Sequence, residues 1–192
     1  MSKMFLIAGE AGAGKTTLIR GALDAYPNDL QYLRTHTTRS PRPTPEAEPE
    51  YVFVDRGEYG RRRKASKKWD HDEFYGEYYG SDIAVAHGTL RTGTSLIVST
   101  MADLAVVDTM RELYGEAADM VTVYVRTSRD LRMSRLAARA ATVEATRVAT
   151  DDTFTGQLES AVGVTDAVFM PSNDITQSSN IFNQLIAGYL YE

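Results

Sequence analysis

The chain has 192 residues, of which 43% are hydrophobic and 24% charged, and its formal net charge at pH 7 is −5. This length suits one well-buried domain, and the composition excludes wholesale disorder, a collagen-like repeat and a coiled-coil rod. Cysteine is absent, which excludes disulfide scaffolds, thiolate zinc sites and cysteine nucleophiles, and no apolar run reaches the roughly 20 residues of a membrane span.

The first predicted elements are a strand, a glycine-rich loop and a helix. Residues 4–8 form a short apolar run. Glycines follow it, and Lys15–Ala25 then shows helical spacing, with Leu18, Ile19 and Leu23 on one side. The sequence therefore predicts a loop that connects the end of a strand directly to the start of a helix.

This loop, residues 9–16, matches the phosphate-binding pattern G-x-x-x-x-G-K-[ST] without a mismatch. Triphosphate oxygens need converging backbone N–H groups and the positive end of a helix, and glycines are required where a Cβ would collide. Lys15 adds a positive charge for the β- and γ-phosphates, and the Thr16 hydroxyl suits Mg²⁺. The predicted nucleoside triphosphate-binding residues of this loop and the next position are Gly9, Glu10, Ala11, Gly12, Ala13, Gly14, Lys15, Thr16 and Thr17.

The amino-acid composition changes in residues 31–93, which are rich in proline and tyrosine. Ten of the 21 basic residues lie between Arg34 and Lys68. We interpret this segment as including an inserted lobe of short strands and a basic helix. The four consecutive basic residues 61–64 are most typical of a solvated helix face. The negative net charge and the lack of interleaved aromatic residues argue against nucleic acid as a partner.

The second half alternates between apolar runs rich in β-branched residues and helical segments. The predicted strands and the helices that follow them cover residues 96–98 and 101–114, 121–125 and 128–141, and 167–170 and 175–190. Thr127 and Asp130 have the spacing of a capping box at the start of one helix. Strands without alternation, separated by helices, predict a parallel sheet buried on both faces, so the fold class is α/β.

Residues 35–43 place Arg39 and Arg42 three positions apart, beside hydroxyl side chains on a segment stiffened by proline. Two such guanidinium groups suit a phosphate monoester, because each donates bidentately and neither loses its proton. This segment resembles the nucleotide-monophosphate clamp of the guanylate kinase family, and the resemblance continues through residues 51–54 and 76–81. It is strong up to residue 81 and weak afterwards.

The resemblance implies a P-loop kinase three-layer fold with a parallel central sheet, an inserted nucleotide-monophosphate-binding lobe and a short helical lid. We expect a single domain over residues 1–192. Its core is predicted to comprise residues 1–30 and 94–192, with the lobe at about 31–93 and the lid at about 139–152.

The resemblance also assigns the residues that bind the acceptor. Arg39, Arg42 and Tyr51 match residues that grip the acceptor phosphate, and Tyr79 matches one that helps them. Thr35 and Ser81 match residues near the base. The predicted acceptor-binding residues are Thr35, Arg39, Arg42, Tyr51, Asp70, Tyr79 and Ser81.

Similarity to the family extends to the donor side in the second half of the chain. Arg135, Arg139 and Arg147 resemble lid arginines that close on the phosphates, and Asn173 resembles an asparagine near the adenine of ATP. The predicted catalytic residues are Lys15, Arg39, Arg135, Arg139 and Arg147.

Three positions depart from the family pattern near the nucleoside. Asp70 stands where the family has a glutamate that pairs with the guanine edge, and its side chain is one methylene shorter. Ser99 and Met101 replace a pair of aspartates, which leaves Asp103 as a candidate replacement. These changes keep open an acceptor with a different base.

The resemblance implies ATP-dependent phosphorylation of a (deoxy)nucleoside monophosphate, with GMP or dGMP as the default acceptor and Mg²⁺ as cofactor. The acceptor phosphate is already ionised near neutral pH, so it needs positive charge rather than a general base. One alternative is a kinase for another deoxynucleotide, such as a pyrimidine or modified pyrimidine. Another is a non-catalytic binding module, against which Lys15 and Thr16 argue. We expect a soluble cytoplasmic monomer or homodimer whose partners are small nucleotides, with no nucleic acid and no membrane.

Overall fold

The computed structural model describes residues 1–41, 48, 50–74, 76–100, 104–137 and 165–192. In chain order, the elements in these ranges are β1 (Lys3–Ala8), α1 (Lys15–Ala25), β2 (Leu30–Tyr32), β3 (Thr35–Thr37), β4 (Tyr51–Phe53), α2 (Arg56–Ala65), β5 (Asp72–Phe74), β6 (Glu77–Gly80), α3 (Ile83–Arg91), β7 (Ser95–Thr100), α4 (Leu104–Tyr114), β8 (Asp119–Val125), α5 (Arg129–Ala137), β9 (Ala167–Phe169) and α6 (Ile175–Leu190). The predicted lid, residues 139–152, lies outside the described residues.

A five-stranded sheet with the order β2-β7-β1-β8-β9 forms the centre of the molecule. All of its strand pairs are parallel. Ala8 at the end of β1 lies between Thr100 of β7 and Tyr124 of β8, so the carboxyl ends of these strands meet at one edge. The predicted parallel central sheet is confirmed.

Helices cover both faces of this sheet, because alternate residues of β1 point in opposite directions. Phe5 and Ile7 pack in one buried cluster with residues of α1 and α6. Met4 and Leu6 pack in a second cluster with residues of α3 and α4. Burial of each such side chain contributes about 1.5–3 kcal/mol. The continuous apolar run of β1 thus produces three layers, and the α/β class is confirmed.

A second sheet with the order β4-β3-β6-β5 stands beside α2. The range predicted for the inserted lobe, residues 31–93, contains more than this sheet. Tyr32 belongs to β2 of the central sheet, and α3 packs Ile83 and Leu90 into the central core. The second sheet and α2 therefore occupy residues 35–80. The basic run of α2, residues 61–64, is exposed, as expected for a solvated helix face.

The start of α5 differs from the predicted capping box. Ser128 Oγ accepts a hydrogen bond from the backbone N–H of Leu131 at 3.4 Å. The buried hydroxyl of Thr127 instead donates to the carbonyl oxygen of Ala13 at 3.0 Å. The capping-box prediction for Thr127 and Asp130 is wrong, because a long-range contact takes the Thr127 hydroxyl and its neighbour caps the helix.

No helix in the part of the chain that the structure describes combines the length and the apolar character required to cross a bilayer.

Candidate active site

The glycine-rich loop leaves β1 at the carboxyl edge of the central sheet and leads into α1. Strands β7 and β8 flank β1, one on each side. Parallel sheets bind ligands at the carboxyl ends of such strands. Gly12 has a φ of +78°, and a Cβ there would lie 2.9 Å from the carbonyl oxygen of Arg132. Only glycine fits this position without strain, because the backbone is left-handed and α5 approaches closely.

Lys15 lies across the loop that precedes it. Its ammonium donates to the carbonyl oxygens of Gly9 at 2.5 Å and Glu10 at 3.0 Å. Thr16, in the first turn of α1, is half-buried, and Thr17 is exposed. The loop therefore holds a positive charge, a hydroxyl and a helix N-terminus close together, which is the chemistry of a polyphosphate site.

Arg135 of α5 reaches the same loop. Its Nη1 lies 3.4 Å from the carbonyl oxygen of Gly12 and 3.3 Å from that of Ala13, and it is the donor in both hydrogen bonds. The structure thus brings this predicted residue to the predicted phosphate loop, although the two are more than 120 positions apart in the chain.

A buried pair of charged side chains, Arg132 and Glu10, links α5 to the phosphate loop. Arg132 Nη2 lies 4.0 Å from Glu10 Oε1, and Arg132 Nη1 donates to the carbonyl oxygen of Ala11 at 3.4 Å. Burial and the nearby carboxylate of Glu10 raise the pKa of Tyr124 to about 12, so this hydroxyl stays protonated and can donate to Glu10. Sequence reasoning missed Arg132, and its position three residues before Arg135 on α5 was the available signal.

A cavity of about 510 Å³ opens between the start of α5 and the segment before α6. Its wall combines apolar side chains with amide, hydroxyl and guanidinium groups. The cavity is lined by Arg126, Thr127, Leu131, Met170, Pro171 and Asn173, among others. Asn173 therefore shares a cavity with Thr127, whose hydroxyl bonds to Ala13 of the phosphate loop.

On the second sheet, Arg39 is held by charge and by aromatic rings. Its guanidinium carbon lies 5.0 Å from the ring centre of Tyr51 and 5.2 Å from that of Phe53. Nη1 and Nη2 donate to the two carboxylate oxygens of Glu48 at 3.4 and 2.9 Å, and Nη1 also donates to the carbonyl oxygen of Ser40 at 2.8 Å. The side chains of Arg39 and Glu48 are only 13% and 7% exposed.

Among the described residues, these bonds leave one edge of the Arg39 guanidinium without a hydrogen-bond partner. The group has five N–H donors, and Glu48 and Ser40 accept three hydrogen bonds from it. The Nε–H and the second Nη2–H lie on the same edge and take no part in these bonds. Such an edge matches two oxygens of a phosphate.

Other predicted acceptor residues surround Arg39. Thr35 of β3 lies opposite Tyr51 of β4, and the rings of Tyr51 and Tyr79 meet edge-on with centroids 6.4 Å apart. Thr35, Arg39, Tyr51 and Tyr79 therefore share one region of the second sheet.

Asp70 and Ser81 lie together on neighbouring segments. The backbone N–H of Asp70 donates to the carbonyl oxygen of Ser81 at 3.0 Å, and Ser81 is almost fully buried. Burial, with a smaller contribution from the negative charge of Asp72, raises the pKa of the Asp70 carboxyl. A partly buried carboxylate of this kind gains most from a ligand that donates hydrogen bonds to it.

A partly buried ion pair connects α1, the helix that starts at the phosphate loop, with the segment before β4. Arg20 of α1 lies 3.4 Å from the carboxylate of Glu50, which is buried. The carbonyl oxygen of Glu50 in turn accepts a hydrogen bond from the backbone N–H of Thr35 at 3.1 Å. The second sheet is therefore tied to the helix that carries the loop.

The guanylate kinase family model matches residues 1–178 of the chain. The chain belongs to the guanylate kinase family. It is 33% identical to the guanylate kinase of Rubrobacter xylanophilus over 124 residues, which is 65% of this chain and 62% of that protein. It is 39% identical to the guanylate kinase of Chlamydia felis over 79 residues, or 41% of this chain and 39% of that protein. The matched region thus spans less than two thirds of these relatives.

The fold of this guanylate kinase family member also matches solved structures. The crystal structure of guanylate kinase from Anaplasma phagocytophilum superposes with a TM-score of 0.67 and 17% identity, and the match covers 100% of this chain and 87% of that one. At this identity the match establishes the fold alone.

Several residues predicted from the family resemblance lie outside the described residues. They are Arg42, Met101, Asp103, Arg139 and Arg147. Ser99, which replaces a family aspartate, is described, and its Oγ lies 3.0 Å from the hydroxyl of Tyr32. The Ser99 backbone N–H also donates to that hydroxyl at 3.2 Å. Ser99 therefore anchors β2 to the end of β7.

No group of three or more histidine, cysteine or acidic residues within the described ranges could hold a metal ion. Mg²⁺ takes oxygen ligands and often keeps phosphate oxygens and water in its shell, so one protein hydroxyl suffices to contribute. Thr16, beside Lys15 at the start of α1, offers a hydroxyl of this kind, so the residues present are compatible with magnesium held mainly by a nucleotide.

Glu48, which pairs with Arg39, is a residue that sequence reasoning missed in this guanylate kinase family member. A carboxylate within ten positions of Arg39, on the same proline-rich segment, was the available signal.

Proposed function

We propose that this protein transfers the γ-phosphoryl group of ATP to a nucleoside monophosphate, with GMP and dGMP as the default acceptors. The observation that carries the proposal is the Arg39 guanidinium: Glu48 and two aromatic rings hold it, and no residue in the described part of the chain accepts a hydrogen bond from its Nε–H edge. A chain that also has a complete phosphate loop can accommodate two phosphorylated ligands.

The donor half of the proposed site is the loop of residues 9–16 with its neighbours. Backbone N–H groups and the N-terminus of α1 would bind the ATP phosphates, and Lys15 and Arg135 would neutralise their charge. The cavity that contains Asn173 has the volume expected for part of a nucleotide, and we propose that it receives the adenine.

Thr16 would hold magnesium together with the nucleotide phosphates. Bound Mg²⁺ supplies positive charge to the β- and γ-phosphate oxygens. Lys15, which already lies against the loop carbonyls, would turn its ammonium toward the same oxygens when ATP binds, because a phosphate is a stronger acceptor than a carbonyl.

The acceptor half of the proposed site is on the second sheet. Arg39 and Arg42 would bind the monophosphate, and the rings of Tyr51 and Tyr79 would border it. No general base is required, because the attacking phosphate oxygen is already ionised near neutral pH. What the residues must supply is positive charge that offsets repulsion between two polyanions, together with alignment of the attacking oxygen.

We further propose that Asp70 and Ser81 bind the base, with Thr35 nearby. The Asp70 carboxylate would accept hydrogen bonds from the guanine N1–H and amino group. We also propose that residues 139–152 form a lid whose Arg139 and Arg147 cover the phosphates and exclude water. A cytoplasmic location and a monomeric or homodimeric state complete the proposal.

A coupled assay of ATP consumption tests this function. Purified protein is mixed with ATP, Mg²⁺ and one of a panel of ribo- and deoxynucleoside monophosphates, and a reaction without acceptor measures background hydrolysis. We expect turnover with GMP and dGMP that exceeds the background by at least about a hundredfold. Preference for a pyrimidine would assign a different base to the Asp70 pocket. If none of the acceptors raised turnover above the background, the proposed kinase activity would be refuted.

A further inference from the structure

The hydroxyl of Tyr59, on α2, connects three parts of the second lobe. It lies 2.7 Å from the carbonyl oxygen of Tyr79 on β6. It also lies 3.2 Å from the indole Nε1 of Trp69 and 2.9 Å from Nδ1 of His71. Tyr59 is almost fully buried, so no solvent competes for these bonds.

The hydrogen-bonding capacity of this hydroxyl is completely used. A tyrosine hydroxyl has one proton and two acceptor lone pairs. The carbonyl oxygen of Tyr79 can only accept, so the proton goes there, and the indole N–H of Trp69 can only donate. Nδ1 of His71 must therefore carry a hydrogen and donate to the second lone pair. The two donors are the residues on either side of Asp70.

The backbones at Gly80 and Asp70 also approach each other closely. A Cβ on Gly80 would overlap with the carbonyl oxygen of Asp70, the indole nitrogen of Trp69 and the hydroxyl of Tyr59. The N–H of Asp70 donates to the carbonyl oxygen of Ser81 at 3.0 Å. The segment that carries Asp70 is thus pressed against the strand end that carries Ser81.

We propose that Tyr59 is a positioning residue for acceptor-base recognition, whose hydroxyl fixes the spacing between Asp70 and Ser81 without touching the nucleotide. This inference rests on the proposed function, because it takes Asp70 and Ser81 as the residues that contact the base. Loss of the hydroxyl would remove the side-chain bonds of Trp69 and His71 and leave the backbone bond from Asp70 to Ser81 as the tie between the two segments, so the base would meet a less ordered pair of partners.

The test is Tyr59→Phe, which removes the hydroxyl and keeps the ring. We expect KM for GMP to rise about tenfold, the factor that corresponds to one well-placed hydrogen bond. KM for ATP should change less than about twofold, because α5 and α1 form the donor half independently of Tyr59. Tyr26→Phe is the matched control, since its hydroxyl donates to the carbonyl oxygen of Asn183 at 2.9 Å on the central core.

Trp69 provides a readout that does not require turnover, because it is the single tryptophan of the chain. The Trp69 emission should shift to longer wavelength in Tyr59→Phe, because the indole N–H then donates to water in place of the Tyr59 hydroxyl. Titration of GMP followed by this emission should give a Kd that is raised about tenfold in the variant. The thermal melting profile shows whether each variant is folded.

A second variant, His71→Ala, removes one donor from an exposed position and leaves the buried hydroxyl in place. It should raise the Kd for GMP in the same direction and by a smaller factor. Unchanged GMP binding in both folded variants would overturn the inference, as would an equal rise of KM for ATP and GMP. If the unmodified protein bound no nucleoside monophosphate at all, the proposed function itself would fail, and the inference with it.

Discussion

Replacement of Arg39 by lysine tests the acceptor clamp most directly, because it keeps the positive charge and removes the planar guanidinium with its paired N–H donors. The guanidinium donates to both oxygens of Glu48 through one edge and presents Nε–H and Nη2–H along another. A lysine ammonium has three donors at a single point, so it cannot satisfy Glu48 and also bind two phosphate oxygens side by side.

The size of the effect follows from the bonds that are lost. A hydrogen bond between charged groups contributes about 1.5–3 kcal/mol, and lysine would lose one of the two bonds to the acceptor phosphate. A loss of about 2 kcal/mol corresponds to a fall of roughly 30-fold in kcat/KM for GMP. KM for ATP should remain within about twofold, since the phosphate loop is untouched.

The assay is steady-state turnover with GMP varied at saturating ATP and then ATP varied at saturating GMP. Arg61→Lys is the matched control: the Arg61 side chain is 71% exposed and pairs with Glu58 at 2.8 Å on the surface of α2. Such surface pairs contribute about 0.2–1 kcal/mol to stability, and none of the proposed acceptor contacts involves Arg61. Equal kinetics in Arg39→Lys and Arg61→Lys would refute the assignment of Arg39 to the acceptor phosphate.

Three further predictions concern the loop and the stability of the fold. Lys15→Ala should lower kcat about a hundredfold or more, as measured in the same turnover assay, because an aligned positive charge on the transferred phosphoryl group is lost. Gly12→Ala should lower the free energy of unfolding by about 1–3 kcal/mol in urea titrations, whereas Gly188→Ala, in α6 with open space around it, should raise it by about 0.5–1 kcal/mol. Burial holds the pKa of His36 below its usual 6.5, so native His36 binds its proton at lower pH than the unfolded chain does. The unfolding free energy should therefore fall as pH drops below about 6.5, and His36→Gln should make that fall shallower; an unchanged slope would contradict this reasoning.

The central sheet could be predicted from the sequence because its strands are buried on both faces. Residues 4–8 and 96–98 are uninterrupted apolar runs, residues 121–125 are rich in β-branched residues, and each segment lies within a strand of the sheet. The strand Leu30–Tyr32 escaped prediction, because three residues are too few to show a period. The docking of Ile83–Arg91 on the central core also escaped it, because periodicity reveals an apolar face but not which surface that face covers.

The candidate site also has a part that the sequence predicts and a part that it does not. The phosphate loop could be predicted because its requirements are local: glycines, a lysine and a hydroxyl at fixed spacing, between a strand and a helix. The pairing of Arg39 with Glu48 is a contact between side chains nine positions apart on an irregular segment, and no periodic pattern specifies it. The family resemblance gave Arg39 as a clamp candidate, and that role stays a prediction; the resemblance did not indicate Glu48, the carboxylate that pairs with Arg39.

Thr127 shows why a local motif can locate an element and still misassign its chemistry. The pattern of a hydroxyl followed three residues later by an acid correctly marked the start of a helix. Two adjacent hydroxyls, those of Thr127 and Ser128, could cap it, and local sequence cannot rank them. The structure ranks them by burial: the buried Thr127 donates to the carbonyl oxygen of Ala13, while the exposed Ser128 caps α5. A buried hydroxyl without a partner costs about 1–3 kcal/mol, so the Thr127 hydroxyl keeps its bond to Ala13, a carbonyl oxygen that also accepts from Arg135 at 3.3 Å, and the exposed Ser128 hydroxyl is left to cap the helix.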